Sequence, residues 1–419
     1  MKKTFAIANL ILSSVFFAAG ALYSESPSAS GGRQAQFDVA AYVWPAYHPE
    51  PLWKDLGIFS HGVGEWQNVY EAVPKKPGHR QPLKPLWGYE NEADPIVVAR
   101  KIDAALAAGV NVFIYDWYWY RGRPFLEGAL NNGFLKAPNN GRMKFFLMWA
   151  NHDVSALWDN RSKEKYEKIF WRAAVSYGEF TGKIVPRVVG DYFRKPNYYK
   201  IDGKPVFSVY KIKTLVEGMG SVENVKKAFE YLDEAARKAG FKGVHLMLIC
   251  PLQPYTFGKN NDIPSKKNAS PAEVAEYLGF ESFTTYNWIC ENYALLDKAG
   301  GEMKYSKWVD ENILMWDKNR DKLSSAKYFP HVSIGWDTNP RYLPSEYTHT
   351  VLDSNPADFS RALRAAKSWS LKNRRGKMPN LITVNAWNEW TEGCYLEPSE
   401  EFGYGFLNAV AENFCGGDN

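Results

Sequence analysis

The chain has 419 residues, of which 45% are hydrophobic, 16% aromatic and 23% charged, a balance that excludes disorder and collagen-like sequence. Its length calls for two domains or for one large closed architecture such as an α/β barrel. The net charge is +5, or +3 without Lys2 and Lys3, and no basic run stands free of acids, so the pattern carries no nucleic-acid footprint. Sixteen tryptophans exceed ordinary core needs and point either to bulky packing or to rings that stack on sugars, bases or cations.

The first 21 residues, MKKTFAIANLILSSVFFAAGA, have a basic start, an apolar run over 5–19 and small residues Ala19 and Ala21 before Leu22. They read as a cleavable signal peptide that exports the chain to the periplasm or the medium. Asn9, Ser13 and Ser14 interrupt the run, which is also short for a spanning helix, and no Cys marks a lipoprotein anchor. Residues 22–36 are a polar linker. No later stretch approaches 18 uncharged apolar residues, so no membrane span is expected in the mature chain.

From residue 37, apolar runs alternate with helical stretches. The runs are 37–44, 110–117, 143–150, 204–211, 244–250, 281–287, 329–336 and 381–387, and helical period appears at 94–109, 162–180, 221–240 and 355–373. Eight strand-helix repeats predict a parallel sheet closed into a (β/α)8 TIM barrel, one α/β domain over 37–415 with long βα loops. Asp94-Pro95 reads as a helix N-cap with proline at the first turn, and Gly109 and Gly240 as helix stops. The proline-rich stretch 45–93 is an extended loop. Cys250, Cys290, Cys394 and Cys415 are too sparse for a disulfide scaffold and lack zinc-type spacing; at least two are expected as buried thiols.

In such a barrel the site lies at the C-terminal strand ends. Those ends carry Trp44, Tyr47 and His48; Asp116, Trp117, Tyr118, Trp119 and Tyr120; Trp149, Asn151, His152 and Asp153; Tyr210; Tyr286, Asn287 and Trp288; Trp336 and Asp337; and Trp387, Asn388, Glu389, Trp390, Thr391 and Glu392. Aromatics with a few acids suit a carbohydrate: flat faces to stack on, hydroxyls to bond, acids for chemistry. The sharpest signal is WNEWTEG at 387–393, whose Glu389 and Glu392 are hemmed by tryptophans instead of lysines. Glycosidic cleavage uses two carboxyl groups, one protonated and one ionised, in unequal environments. Asp116 follows an apolar run and fits ligand contact or a structural hydrogen bond equally. His152 and Asp153 read as substrate contacts or as structural groups. Glu65, His79 and Arg80 either cap the cleft or pin the first loop through side-chain bonds to backbone.

Several segments, in order, carry a resemblance: AAYVWPAYHP (40–49), GEWQNV (64–69), GHRQP (78–82), DP (94–95), GVNVFIYDWYWY (109–120), LMWANHD (147–153), YYKIDGKPVFSVYK (198–211) and VNAWNEWTEGCYLEP (384–398). The chain resembles the bacterial WbsX-like group, related to glycoside hydrolase family 99, the endo-α-mannosidases and endo-α-mannanases. The resemblance implies a (β/α)8 barrel and retaining hydrolysis of an α-mannoside or a sugar such as rhamnose, endo-acting, with no metal and no cofactor. It implies Glu389 as the base that deprotonates the sugar 2-hydroxyl, so that a 1,2-anhydro sugar forms, and Glu392 as the acid. Trp44, Tyr47, His48, Asp116, Trp117, Tyr118, Trp149, Asn151, His152, Tyr210, Tyr286, Asn287, Trp336, Asp337, Asn388 and Trp390 are the expected substrate-binding residues. The expected partner is an oligosaccharide or polysaccharide, with neither nucleic acid nor membrane, and the protein a monomer. A glycosyltransferase of O-antigen type and a non-catalytic glycan-binding barrel are the alternatives.

Overall fold

The first and last strands of the chain are neighbours: residues 38–41 pair in parallel with 381–384, while 40–43 pair with 112–115. This computed structural model describes residues 37–415 apart from 250, 251, 253, 259 and 260. The expected signal peptide, the linker and Cys250 therefore lie outside the described residues.

The ring comprises β1 (Asp38–Val43), β2 (Val112–Tyr120), β3 (Lys144–Trp149), β4 (Lys204–Val209), β5 (His245–Leu248), β6 (Ser282–Phe283), β7 in two pieces (Lys327–Tyr328 and His331–Ser333) and β8 (Leu381–Asn385). Each pairs in parallel with the next. Closure depends on β7: its first piece pairs with β6 and its second with β8. All nine residues of β2 are buried, as expected of a strand covered on both faces. The fold is thus the expected α/β class, an eight-stranded barrel within a ring of helices.

The helices obey local chemistry. In α1 (Pro95–Ala107) the Asp94 carboxylate accepts from the Ile96 N–H at 2.8 Å, with Pro95 at the first position. Ser221 caps α2 (Val222–Lys238), Ser270 and Glu273 form a capping box on α3 (Pro271–Leu278), and Asn355 caps α4 (Pro356–Lys372). The last helix, α5 (Gly405–Phe414), packs on α4. Gly109 and Gly240 follow their helices at φ +89° and +95°, the left-handed stop that glycine supplies. Among the described residues no helix is long and apolar enough to cross a membrane.

The stretch 162–180 departs from its expected helix. Residues 169–171 instead form a short strand antiparallel to 154–155, and burial alternates from Trp171 to Ser176. A two-residue alternation belongs to extended chain, and it overrides the helical spacing that the apolar residues of this stretch also satisfy. The helix that follows β3 starts after Ser176, whose hydroxyl accepts from the Glu179 N–H at 3.1 Å, and spans 177–193 in mixed α and π turns.

Candidate active site

Beyond β8 the chain turns back on itself. Residues 388–389 pair antiparallel with 394–395, and Trp390–Glu392 make a tight 3-10 turn ending at Gly393, φ +66°. A side chain at Gly393 would also press on Asp337 at 3.1 Å, so glycine is needed twice over. The turn brings Glu392 back beside Glu389, with Trp390 facing away, stacked on Tyr395 at 3.8 Å.

Both glutamates meet Arg341, which arrives on the turn Asn339–Arg341 after β7. Its Nη1 donates to Glu392 Oε1 at 2.6 Å and its Nη2 to Glu389 Oε1 at 3.0 Å. Nε and Nη2 also hold Glu65 in a fork, at 2.6 and 3.1 Å. Glu65 reaches this point because Gly64 lets the first loop lie against the end of β1, where a Cβ would sit 2.0 Å from the Ala46 carbonyl. The Trp44 indole donates to Glu65 at 2.6 Å and its ring lies 5.5 Å from the guanidinium. Three carboxyl groups (Glu65, Glu389 and Glu392) share one buried cation. Burial penalises unpaired charge heavily. Burial accordingly pushes the Glu389 and Glu392 carboxyls well above the usual carboxylate range, against the pull of Arg341.

On the opposite side Tyr286 Oη lies 3.0 Å from Asp116 Oδ2 and in still closer contact with Glu389 Oε2. Burial and the neighbouring Glu389 raise the Asp116 carboxyl far above its ordinary value, and burial with both acids holds Tyr286 as a phenol.

Above these groups opens a cleft of ≈ 430 Å³. Trp158, Trp44, Tyr118, His152, Tyr210 and Tyr286 follow one another around its wall with ring centroids 5.5–6.0 Å apart. Of the expected site residues, Trp44, Asp116, Tyr118, His152, Tyr210, Tyr286, Asn287, Trp336, Glu389 and Glu392 line it. Burial lowers His152 to about 4, so its ring is neutral at pH 7.

The other expected residues stand outside the cleft. Tyr47 stacks on Trp66 at 3.9 Å, Trp117 donates to Glu127, and Trp149 stacks on Phe180. His48 is packed against Gly128, where a Cβ would lie 2.3 Å from its Nε2. Asn151 joins β3 to β4 by accepting from the Lys211 N–H at 2.8 Å and donating to the Lys211 carbonyl at 2.6 Å. Asp337 accepts from His79 and Gln81 of the first loop at 2.9 and 2.8 Å, which pins that loop. Asn388 bonds the Trp44 backbone in both directions and donates to Glu92. The reason is common to all: chain leaving a strand end alternates between the cleft and the packing behind it, and sequence position does not say which.

The tryptophan excess resolves mostly into packing. Thirteen of the sixteen are buried, while Trp87, Trp336 and Trp369 are partly exposed; only Trp44, Trp158 and Trp336 line the cleft. Among the described thiols, Cys394 is buried, Cys290 partly so and Cys415 exposed.

Arg341 was not legible beforehand, since its neighbourhood, GWDTNPRYL, looks like an ordinary polar loop. The structure overdetermines its place. Lys75 Nζ donates to the Asn339 and Tyr342 carbonyls at 2.7 and 3.1 Å, and buried Lys165 donates to the Arg341 carbonyl at 2.7 Å. Among the described residues no group of three or more His, Cys, Asp or Glu side chains has a metal-holding arrangement; the acids gather on the guanidinium instead.

Fold and site together define a (β/α)8 barrel with a carboxylate-guanidinium centre at the floor of an aromatic cleft. The chain belongs to the family described as glycosyltransferase WbsX, whose model matches residues 39–410. An uncharacterized protein WxcX from Xanthomonas campestris pv. campestris is 24% identical over 386 residues, covering 89% of this chain and 49% of WxcX. The chain thus spans about half the length of the curated relatives it matches. A solved glycoside hydrolase-like protein is 15% identical, with a TM-score of 0.57 over 94% of this chain and 98% of the other. The family 99 endo-α-mannosidase of Bacteroides thetaiotaomicron, in complex with Bis-Tris-propane, is 14% identical, with a TM-score of 0.53 over 89% and 95%. At these identities the likeness is one of fold.

Proposed function

We propose that the protein is a glycan-active enzyme, an exported glycoside hydrolase that cleaves an α-mannoside or a related sugar with a free 2-hydroxyl, endo-fashion and with retention. The observation that carries this reading is the convergence of Glu389 and Glu392 on one guanidinium under an aromatic wall. Two carboxyl groups held by the same cation approach the sugar from one side. That arrangement suits neighbouring-group chemistry, whereas a carboxylate nucleophile would attack from the face opposite the acid.

Glu389, ionised, accepts the 2-hydroxyl proton; O2 bonds to C1 as the C1 bond to the leaving oxygen breaks, and Glu392 gives that oxygen its proton. Glu392 then takes a proton from water, whose oxygen opens the strained ring at C1 while Glu389 returns its proton to O2. Glu389 is suited to be the ionised member because it receives both Arg341 and Tyr286, whereas Glu392 Oε2 has no hydrogen-bond partner. The working form is a monomer, delivered by a signal peptide to the periplasm or the medium.

Digestion of α-mannan and of rhamnose-rich polysaccharides, followed by product chromatography, tests this. Glu392→Gln is expected to lower turnover about 10²–10⁴-fold; equal activity in variant and wild type defeats the reading. The family description favours a second reading, glycosyl transfer. It requires that a nucleotide leave C1 in the first step and that a sugar hydroxyl replace water in the second, and turnover of a nucleotide sugar by the purified protein would establish it.

A further inference from the structure

A phenol has one proton to donate. Tyr286 stands between two carboxyl groups, with Oη 3.0 Å from Asp116 Oδ2 and closer to Glu389 Oε2. Were both acids ionised, one of these contacts would set lone pairs against lone pairs in a dry cavity, an arrangement burial does not tolerate. The Asp116–Tyr286–Glu389 chain therefore holds a second proton, on one acid or the other.

The surroundings decide which. Glu389 faces Arg341 through Nη2 at 3.0 Å, with Glu392, Glu65 and Tyr47 also in its field. Asp116 faces Tyr286, Glu389 and Tyr118 and no cation, and its Oδ1 has no hydrogen-bond partner. A cation stabilises the ionised form, and its absence in a buried site stabilises the neutral one.

We propose that Asp116 is kept as the neutral acid at working pH, and that its O–H, donated to the Tyr286 hydroxyl, fixes Tyr286 as a donor to ionised Glu389. Asp116 is thus a positioning residue. It need not touch the sugar: its proton prevents Tyr286 from turning away and so keeps Glu389 ready as a base. The kinetic part of this inference rests on the hydrolase reading above, while the protonation state does not.

The test has two arms. Infrared difference spectra of wild type against Asp116→Asn at neutral pH, without substrate, are expected to show loss of one protonated-carboxyl C=O band. Absence of such a band overturns the proposal whether or not the protein hydrolyses glycans. Should Asp116→Asn fail to fold, Tyr286→Phe is expected to shift the same band as the acid loses its acceptor, and an unmoved band is fatal. In kinetics, exchanging a neutral acid for a neutral amide is expected to leave the acid limb of kcat/KM at its wild-type pH, whatever happens to its height. Tyr286→Phe removes a donor from the ionised base and is expected to move that limb upward by about one pH unit. A downward move of the limb in Asp116→Asn would mean that a negative charge had been removed, and the assignment would fall.

Discussion

The indole Nε1 of Trp390 donates to Glu397 Oε2 at 2.8 Å, so the residue between Glu389 and Thr391 is anchored away from the cleft. Glu397 in turn pairs with Lys101 of α1, which also holds Glu92 at 2.5 Å, and Glu92 accepts from Asn388 at 2.9 Å. All five side chains are buried. A second ion cluster behind the barrel thus grips the residues on either side of Glu389.

Removing its cation is expected to be expensive. Lys101→Met leaves two buried carboxylates, Glu92 and Glu397, without their cation, and stability measured by urea unfolding is expected to fall by about 3–5 kcal/mol. Adding Glu397→Gln removes one of the stranded charges and is expected to recover part of the loss. A single variant as stable as wild type would mean that the cluster is not formed.

Arg341 has a different role, to be seen in pH profiles. Arg341→Gln deletes the cation that favours ionised Glu389, so the pKa of that base rises and the acid limb of kcat/KM moves to higher pH. Arg341→Lys keeps the charge but loses the fork that reaches three carboxyl groups, and kcat/KM is expected to fall roughly 10²–10³-fold. An unmoved limb in Arg341→Gln would separate the guanidinium from catalysis.

Two tryptophans of the expected site separate binding from folding. Trp336 is partly exposed in the cleft, whereas Trp149 is fully buried. Trp336→Ala is expected to raise KM roughly five- to thirtyfold, about 1–2 kcal/mol of stacking and contact, with little change in the thermal midpoint. Trp149→Ala is expected to cost about 3–5 kcal/mol of stability. The reverse pattern would exchange their roles.

Glu291 provides a pH test away from the dyad. Burial pushes its carboxyl up to about 7, against the pull of Lys322 and the Asn319 amide, which donates to it at 2.6 Å. The folded state then holds a proton that the unfolded state has released. Stability is expected to fall as pH rises from the unfolded value toward 7, by on the order of 1–3 kcal/mol. Glu291→Gln is expected to flatten that slope and to be the more stable form at pH 8; parallel curves for variant and wild type would refute it.

The strands and the caps at Asp94 and Gly109 were readable because each depends on a period or a turn a few residues long, and the closed barrel followed from counting eight strand-helix repeats. The helix expected at 162–180 failed because its apolar residues satisfy two periods, and packing chose the extended one. His48, Asn151 and Asp337 were placed correctly at strand ends but bond behind the cleft, because side-chain direction there follows loop geometry.

By itself the sequence determined the architecture, the E-W-T-E turn and the edge where acids and rings gather. Only the tertiary structure decided what those acids share. Glu65 and Arg341 are 276 residues apart and meet because two βα loops fold over one barrel mouth, where Lys75, Lys165 and Asp337 clamp them. Burial at that mouth then sets the protons, since three carboxyl groups on a single cation and a fourth, Asp116, reached through Tyr286 cannot all be ionised away from water.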